Sequence, residues 1–176
     1  MIVSQTLYAS KWDTRFLNLA AHTAQWSKDP STKVGAVIVD KNQRVVSLGY
    51  NGFPRGVEDS PERLDDRATK YKLVVHAEEN AILFAQRDLS GHTMYLSPLP
   101  PCSSCTGKVI QSGITRVVSA VPPEGIPERW MEDIQLAGRL CKEAKVVREL
   151  YMPSTTLNPD QWVAYSRIFL SDGEST

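Results

Sequence analysis

Two short stretches, His76-Ala77-Glu78 and Pro101-Cys102-Ser103-Ser104-Cys105, constrain this chain more than any other feature, because their side chains make chemical sense together only if the two meet in space. One imidazole and two thiolates form a sound tetrahedral donor set for Zn²⁺, and three protein ligands leave a fourth position open, as a catalytic zinc site requires. Glu78 stands two residues after the histidine. Its carboxylate can lie beside the open position without ligating, and so carry protons to and from a water there. Zinc lowers the pKa of a bound water from about 15.7 to roughly 7, and one carboxylate can serve as base and then acid.

Plainer readings accompany this one. A lone Cys-x-x-Cys can be a structural zinc knuckle or a redox pair, and a lone histidine can be a satisfied core residue. A structural zinc wants a fourth protein ligand. The remaining candidates are His22, His92 and Cys141, and none stands in ligand-like spacing with the two stretches. Cys141 falls on an apolar helix face and reads as core. If it ligated the metal instead, the structural reading would prevail.

The 176 residues suit one domain with a sizeable core, and 41% hydrophobic content is ordinary for a globular chain. Twenty basic and twenty acidic side chains cancel, which argues against gripping polynucleotide through a broad basic face. It leaves room for a nucleotide, whose phosphate needs only a local pocket. Met1 to Ser10 lacks the basic start and apolar run of a signal peptide, and no apolar segment is long enough to span a bilayer. Three cysteines, two of them assigned to metal, leave no disulfide framework, so the expected compartment is the cytoplasm.

Along the chain, Ser10 and Asp13 form a capping-box pattern opening a helix through about Lys28, which Pro30 ends. Val34 to Val39 and Arg44 to Leu48 flank a polar Asp40-Lys41-Asn42-Gln43 connection and predict an antiparallel hairpin. Gly49 to Gly56, with three glycines and a proline, is a shaped loop of the kind that brings backbone close to a small ligand. Charged residues 57 to 72 read as solvated surface with a short helix around Pro61 to Tyr71. A helix from the His76 motif to about Arg87, a strand Thr93 to Ser97, a helix Ser103 to Ser112, a strand Ile114 to Val121, a helix Glu128 to Ala144 and a strand Lys145 to Leu150 complete the body. Both metal-binding stretches then lie at helix N-termini, where the dipole favours thiolate. The expected fold is a three-layer α/β/α sandwich with a five-stranded mixed sheet, over residues 1–151. Residues 152–176 form an extension, expected to be a docked helix around the apolar Trp162 to Leu170 patch, with a frayed end.

The H-x-E and P-C-x-x-C pair is the signature of zinc-dependent nucleobase deaminases. Together with Lys28-Asp29-Pro30-Ser31-Thr32-Lys33-Val34-Gly35-Ala36, the Gly49 to Gly56 loop, His76 to Ile82 and Ile110-Gln111-Ser112-Gly113-Ile114, it makes the chain resemble the deoxycytidylate deaminases of the cytidine deaminase superfamily, over roughly Trp12 to Leu150. The resemblance implies a cytidine deaminase-like fold, one zinc per subunit on His76, Cys102 and Cys105, and Glu78 as proton shuttle. It implies hydrolysis of dCMP to dUMP and ammonia, supplying thymidylate synthesis, in a homohexamer activated by dCTP with Mg²⁺ and inhibited by dTTP. No membrane or polynucleotide partner is expected. Matching positions put Asn51 near the sugar, with Phe53 and Ala77 as further substrate contacts. Arg129 and Trp130, opening a helix after a proline-bounded loop, are candidates for the substrate phosphate or base. Lys33 and Arg55, with Gly52 and Gly56, are candidates for a triphosphate effector, against the plain reading of surface charge. Rival functions are a cytidine, deoxycytidine or dCTP deaminase, a deaminase acting on nucleic acid, and a non-enzymatic zinc-stabilised nucleotide sensor.

Overall fold

The structure, a computed structural model, describes residues 9–153 and the strand Trp162–Ala164. Helix α1, Lys11–Ala24, starts where the sequence places it, with the Ser10 hydroxyl accepting the Asp13 N–H at 3.0 Å. It stops four residues before the expected Lys28. Ser27 and Asp29 instead use their side chains to shape a turn: the Asp29 carboxylate accepts the N–H groups of Ser31 at 2.7 Å and Thr32 at 3.1 Å. Such side-chain acceptors compete with helical hydrogen bonding.

The hairpin forms from β1, Gly35–Val39, and β2, Val45–Tyr50, in antiparallel register. The charged stretch holds two short helices, α2 (Pro61–Asp65) and α3 (Arg67–Leu73), capped by Ser60 and Asp66. One of its charges is not solvated. Lys70 is buried, and its ammonium reaches Asp29 Oδ1 and Ser31 Oγ, each at 3.1 Å.

Then follow α4 (Ala77–Ala85), β3 (Thr93–Ser97), α5 (Ser103–Gln111), β4 (Arg116–Ala120), α6 (Glu128–Glu143) and β5 (Val147–Pro153). The five expected strands form a mixed sheet in the order β2-β1-β3-β4-β5, with β3-β4-β5 parallel and the hairpin antiparallel. A sixth strand, β6 (Trp162–Ala164), pairs antiparallel with β5. These three residues are therefore extended where the sequence suggested helix, because they continue an open sheet edge that offers unpaired N–H and C=O groups. The rest of the expected docked helix and frayed end lies outside the described residues.

Alternation along the strands divides the core. Val37, Val39, Tyr95, Val118 and Ala120 face α1, joined by its Phe16, Leu17 and Ala20. Ala36, Ile38, Met94, Leu96 and Val117 face the other helical layer, with Ala77 and Ala81 of α4, Val109 of α5 and Cys141 of α6. Two glycines set how closely the helices approach. A Cβ on Gly35 would stand 2.1 Å from the Ala20 carbonyl oxygen of α1, and one on Gly49 would stand 2.2 Å from the Ala77 carbonyl oxygen of α4. Only hydrogen at these positions lets the layers close, and the second presses the His76 motif onto the sheet.

Candidate active site

His76 is the N-cap of α4 and Cys102 the N-cap of α5, both in extended backbone conformation. The strand-helix alternation explains their meeting, since β1 and β3 are neighbours and the helices that follow β2 and β3 pack on the same face. His76 Nδ1 stands 3.6 Å from Cys102 Sγ and 3.4 Å from Cys105 Sγ. Tetrahedral zinc with Zn–S near 2.3 Å and Zn–N near 2.0–2.1 Å demands an S···N edge of about 3.6 Å. The residues fit that ion without rearrangement. Among the described residues, these three form the one His/Cys/Asp/Glu group able to hold a metal, and Cys141 is buried in the core as expected rather than joined to them.

The electrostatics ask for a cation as well. Cys102 is pushed down because the Cys105 thiol donates to it, outweighing burial, with the His76 ring adding to the effect, while Cys105 is pushed up by that same hydrogen bond and by burial. The pair thus ionises once readily and a second time only at a cost, which a metal removes by taking the place of the second proton. The Cys102 hydrogen bond raises His76 against the opposing effect of burial.

Glu78, in the first turn of α4, is 4% exposed. Burial pushes its carboxyl up to about 7, against its own backbone N–H, the His76 ring and a hydrogen bond with the Cys105 thiol, all of which pull it down. It is near enough for the His76 ring to act on its charge, yet it lies outside the ligand group. A buried carboxyl with a raised pKa beside three-ligand metal geometry is the arrangement expected of a proton carrier.

The Gly49 to Gly56 loop is stitched to the segment leading into His76: Gly52 N–H donates to the Val75 carbonyl at 3.1 Å, and Val75 N–H to the Gly52 carbonyl at 2.8 Å. Asn51 is buried, with its amide spanning the turn before β1. Its Nδ2 donates to the Thr32 carbonyl at 2.9 Å and its Oδ1 accepts the Val34 N–H at 2.8 Å. Asn51 thus orders the chain on both sides of Lys33. Phe53 is half-buried, while Lys33, Arg55 and Gly56 are exposed and Gly52 is partly covered. The Arg55 guanidinium lies 5.6 Å from the centre of the Phe84 ring on α4. Ala77 has its methyl in the core, which leaves only backbone to face a ligand.

At the start of α6, Arg129 is exposed and Trp130 half-buried. Their placement depends on a residue that sequence reasoning missed. Asp133 accepts the Ser103 N–H at 2.9 Å, and its other oxygen accepts the Ser103 hydroxyl in a very short hydrogen bond. Arg129 and Trp130 stand four and three residues before Asp133, on the same helical face, so they share the side of α6 that meets the start of α5. In the sequence, Asp133 reads as one more acid on an amphipathic helix. Lys70 was missed for a like reason, as one cation in a charged run.

Residues 10–121 match the family described as the cytidine and deoxycytidylate deaminase zinc-binding region, and the chain belongs to that family. It is a zinc-binding deaminase, a hydrolase of the cytidine and deoxycytidylate deaminase family. It is 47% identical over 137 residues to "Uncharacterized deaminase in luxG 3'region" of Aliivibrio fischeri, covering 78% of this chain and 91% of that one. It is 41% identical over 117 residues to the deoxycytidylate deaminase of Mus musculus, covering 61% of this chain and 64% of the mouse protein. The dCMP deaminase of cyanophage S-TIM5, solved in complex with dCMP and dUMP, superposes with a TM-score of 0.63 at 22% identity, over 81% of this chain and 98% of that one. At that identity the likeness concerns the fold. Among the described residues, no helix is long and apolar enough to cross a membrane.

Proposed function

We propose that the protein hydrolyses dCMP to dUMP and ammonia, supplying dUMP for thymidylate synthesis. The reading rests above all on a three-ligand donor set with metal-compatible spacing and a buried carboxyl, Glu78, beside it but outside it. The deoxycytidylate deaminases among its relatives favour dCMP over other amino-bearing rings.

His76, Cys102 and Cys105 would hold zinc, one per subunit, and zinc when bound supplies an activated water at neutral pH. Glu78 accepts the proton shed by the attacking water and passes it to ring N3. It then takes the proton of the newly attached C4 hydroxyl and delivers it to the exocyclic amine, so that C4–O becomes a carbonyl as the C4–N bond breaks and ammonia leaves. Burial of Glu78 keeps bulk water from competing for those protons. Asn51 and Phe53 border the sugar, the backbone of Ala77 meets the base, and Arg129 with Trp130 closes over phosphate and ring. Lys33, within the turn that Asn51 orders, and Arg55, in the Gly49 to Gly56 loop, receive a triphosphate with its Mg²⁺. On this reading dCTP activates and dTTP inhibits, within a homohexamer located in the cytoplasm.

The test is ammonia release from dCMP, dCTP, CMP, deoxycytidine and cytosine-bearing oligonucleotides, each with and without dCTP and Mg²⁺. A clear preference for dCMP, raised by dCTP in the parent protein but not in Lys33→Ala and Arg55→Ala variants that keep the basal rate, is the expected result. No turnover of dCMP would end the assignment. Preference for deoxycytidine or dCTP would move it to a sister activity on the same chemistry.

A further inference from the structure

We propose that Asp133 is a positioning residue for the metal site, holding the start of α5 so that Cys102 stays in place to ligate. The inference rests on the zinc reading above. The first N–H groups of a helix have no partner within the helix, and in α5 the Ser103 N–H, immediately after a metal ligand, is one of these. It is not left to solvent, because Asp133, from a helix thirty residues on, accepts both that N–H and the Ser103 hydroxyl. Two acceptors of one carboxylate grip one residue at two points. That geometry fixes orientation as well as distance, and charge-assisted hydrogen bonds of this type are roughly twice as strong as neutral ones.

The consequence passes directly to the ligands. Cys102 Sγ accepts the Cys105 N–H at 3.4 Å, so both sulfurs belong to the turn that Asp133 clamps. Ser103 is half-buried, as is Asp133, which shields the clamp from water without hiding it in the core. Partners just beyond the ligands characteristically change metal affinity by about 10- to 100-fold when removed. The clamp is also the point where α6, carrying Arg129 and Trp130, meets the metal-binding helix.

Zinc release from the loaded full-length protein, followed with a chromogenic chelator in excess, tests this. Asp133→Ala should release zinc about 10- to 100-fold faster than the parent. Asp133→Asn, which keeps one carbonyl acceptor, should restore part of the retention. Ser103→Ala should speed release less than Asp133→Ala, and should add nothing when combined with it, since the clamp is already lost. Ala137→Gly weakens α6 without touching Ser103 and should release zinc at the parent rate. Parent-like release from folded Asp133→Ala, or from folded Asp133→Asn and Ser103→Ala if the alanine variant fails to fold, would overturn the inference. So would equal acceleration by Ala137→Gly. A parent protein that takes up no zinc would instead overturn the zinc reading, and atomic absorption on the purified protein separates the two failures.

Discussion

Gly49→Ala isolates the fit between the sheet and the catalytic helix, because it adds one methyl and changes no donor, acceptor or charge. The new Cβ would stand 2.2 Å from the Ala77 carbonyl oxygen, 2.4 Å from the Ala81 N and 2.9 Å from its Cα, all backbone atoms that no side-chain rotation can move away. Reaching even 3.0 Å from that oxygen requires α4 to retreat by about 0.8 Å. Overpacking of this kind costs about 1–3 kcal/mol. The retreat moves Ala77 and Glu78 as one rigid turn, and a misplacement of about 1 Å at a reacting group can cost about 10²-fold in rate. Urea unfolding should therefore show the midpoint lowered with an unchanged m-value, while kcat for dCMP falls about 100-fold in the fraction that remains folded. Gly107→Ala on the exposed side of α5, where an added Cβ meets nothing within 4 Å, is the matched control. A Gly49→Ala protein with parental kcat and midpoint would refute the claim that this contact seats the helix.

Glu78→Gln should keep its zinc by atomic absorption and lose turnover by about 10²–10⁴ or more, the contribution of a positioned acid-base group; a near-parental rate would remove Glu78 from the chemistry. Arg129→Ala should raise KM for dCMP far more than for deoxycytidine, and an equal rise for both would sever Arg129 from the phosphate. Stability on the α1 face should fall in acid. Burial raises the Asp13 carboxyl, but hydrogen bonds from Arg116, Tyr95 and Ser10 more than offset it and hold the group below its ordinary value of 3.8. A depressed folded-state pKa gives stability that is fully present above the unfolded value and is lost as pH falls through the folded one. Urea midpoints measured between about pH 5 and pH 2 should therefore drop more steeply for the parent than for Asp13→Asn, and parallel profiles would show that the carboxylate contributes nothing there.

The donor set and its spacing were legible because chemistry, rather than packing, dictates them: an H-x-E and a C-x-x-C can share one metal only if both open helices on the same face. The hairpin strands and β4 were legible too, since their β-branched runs are bounded by Gly, Pro and polar turns. The sequence could not say that Lys70 leaves its charged neighbours to pair with buried Asp29, nor that Asp133 caps a different helix, because each partner is distant along the chain. It likewise misjudged Trp162–Ala164, whose apolar pattern suits a docked helix as well as a strand until a neighbouring edge presents unpaired backbone groups.

Sequence alone determined which atoms could bind a metal and move a proton, because those capacities belong to side-chain type and local spacing. Tertiary structure decided how those atoms are held: that Gly49 lets α4 close onto β2, that the Gly52–Val75 pairing ties the loop to His76, and that Asp133 steadies Cys102. Such contacts join residues far apart in the chain, and their energies depend on shapes that exist only after the layers have packed.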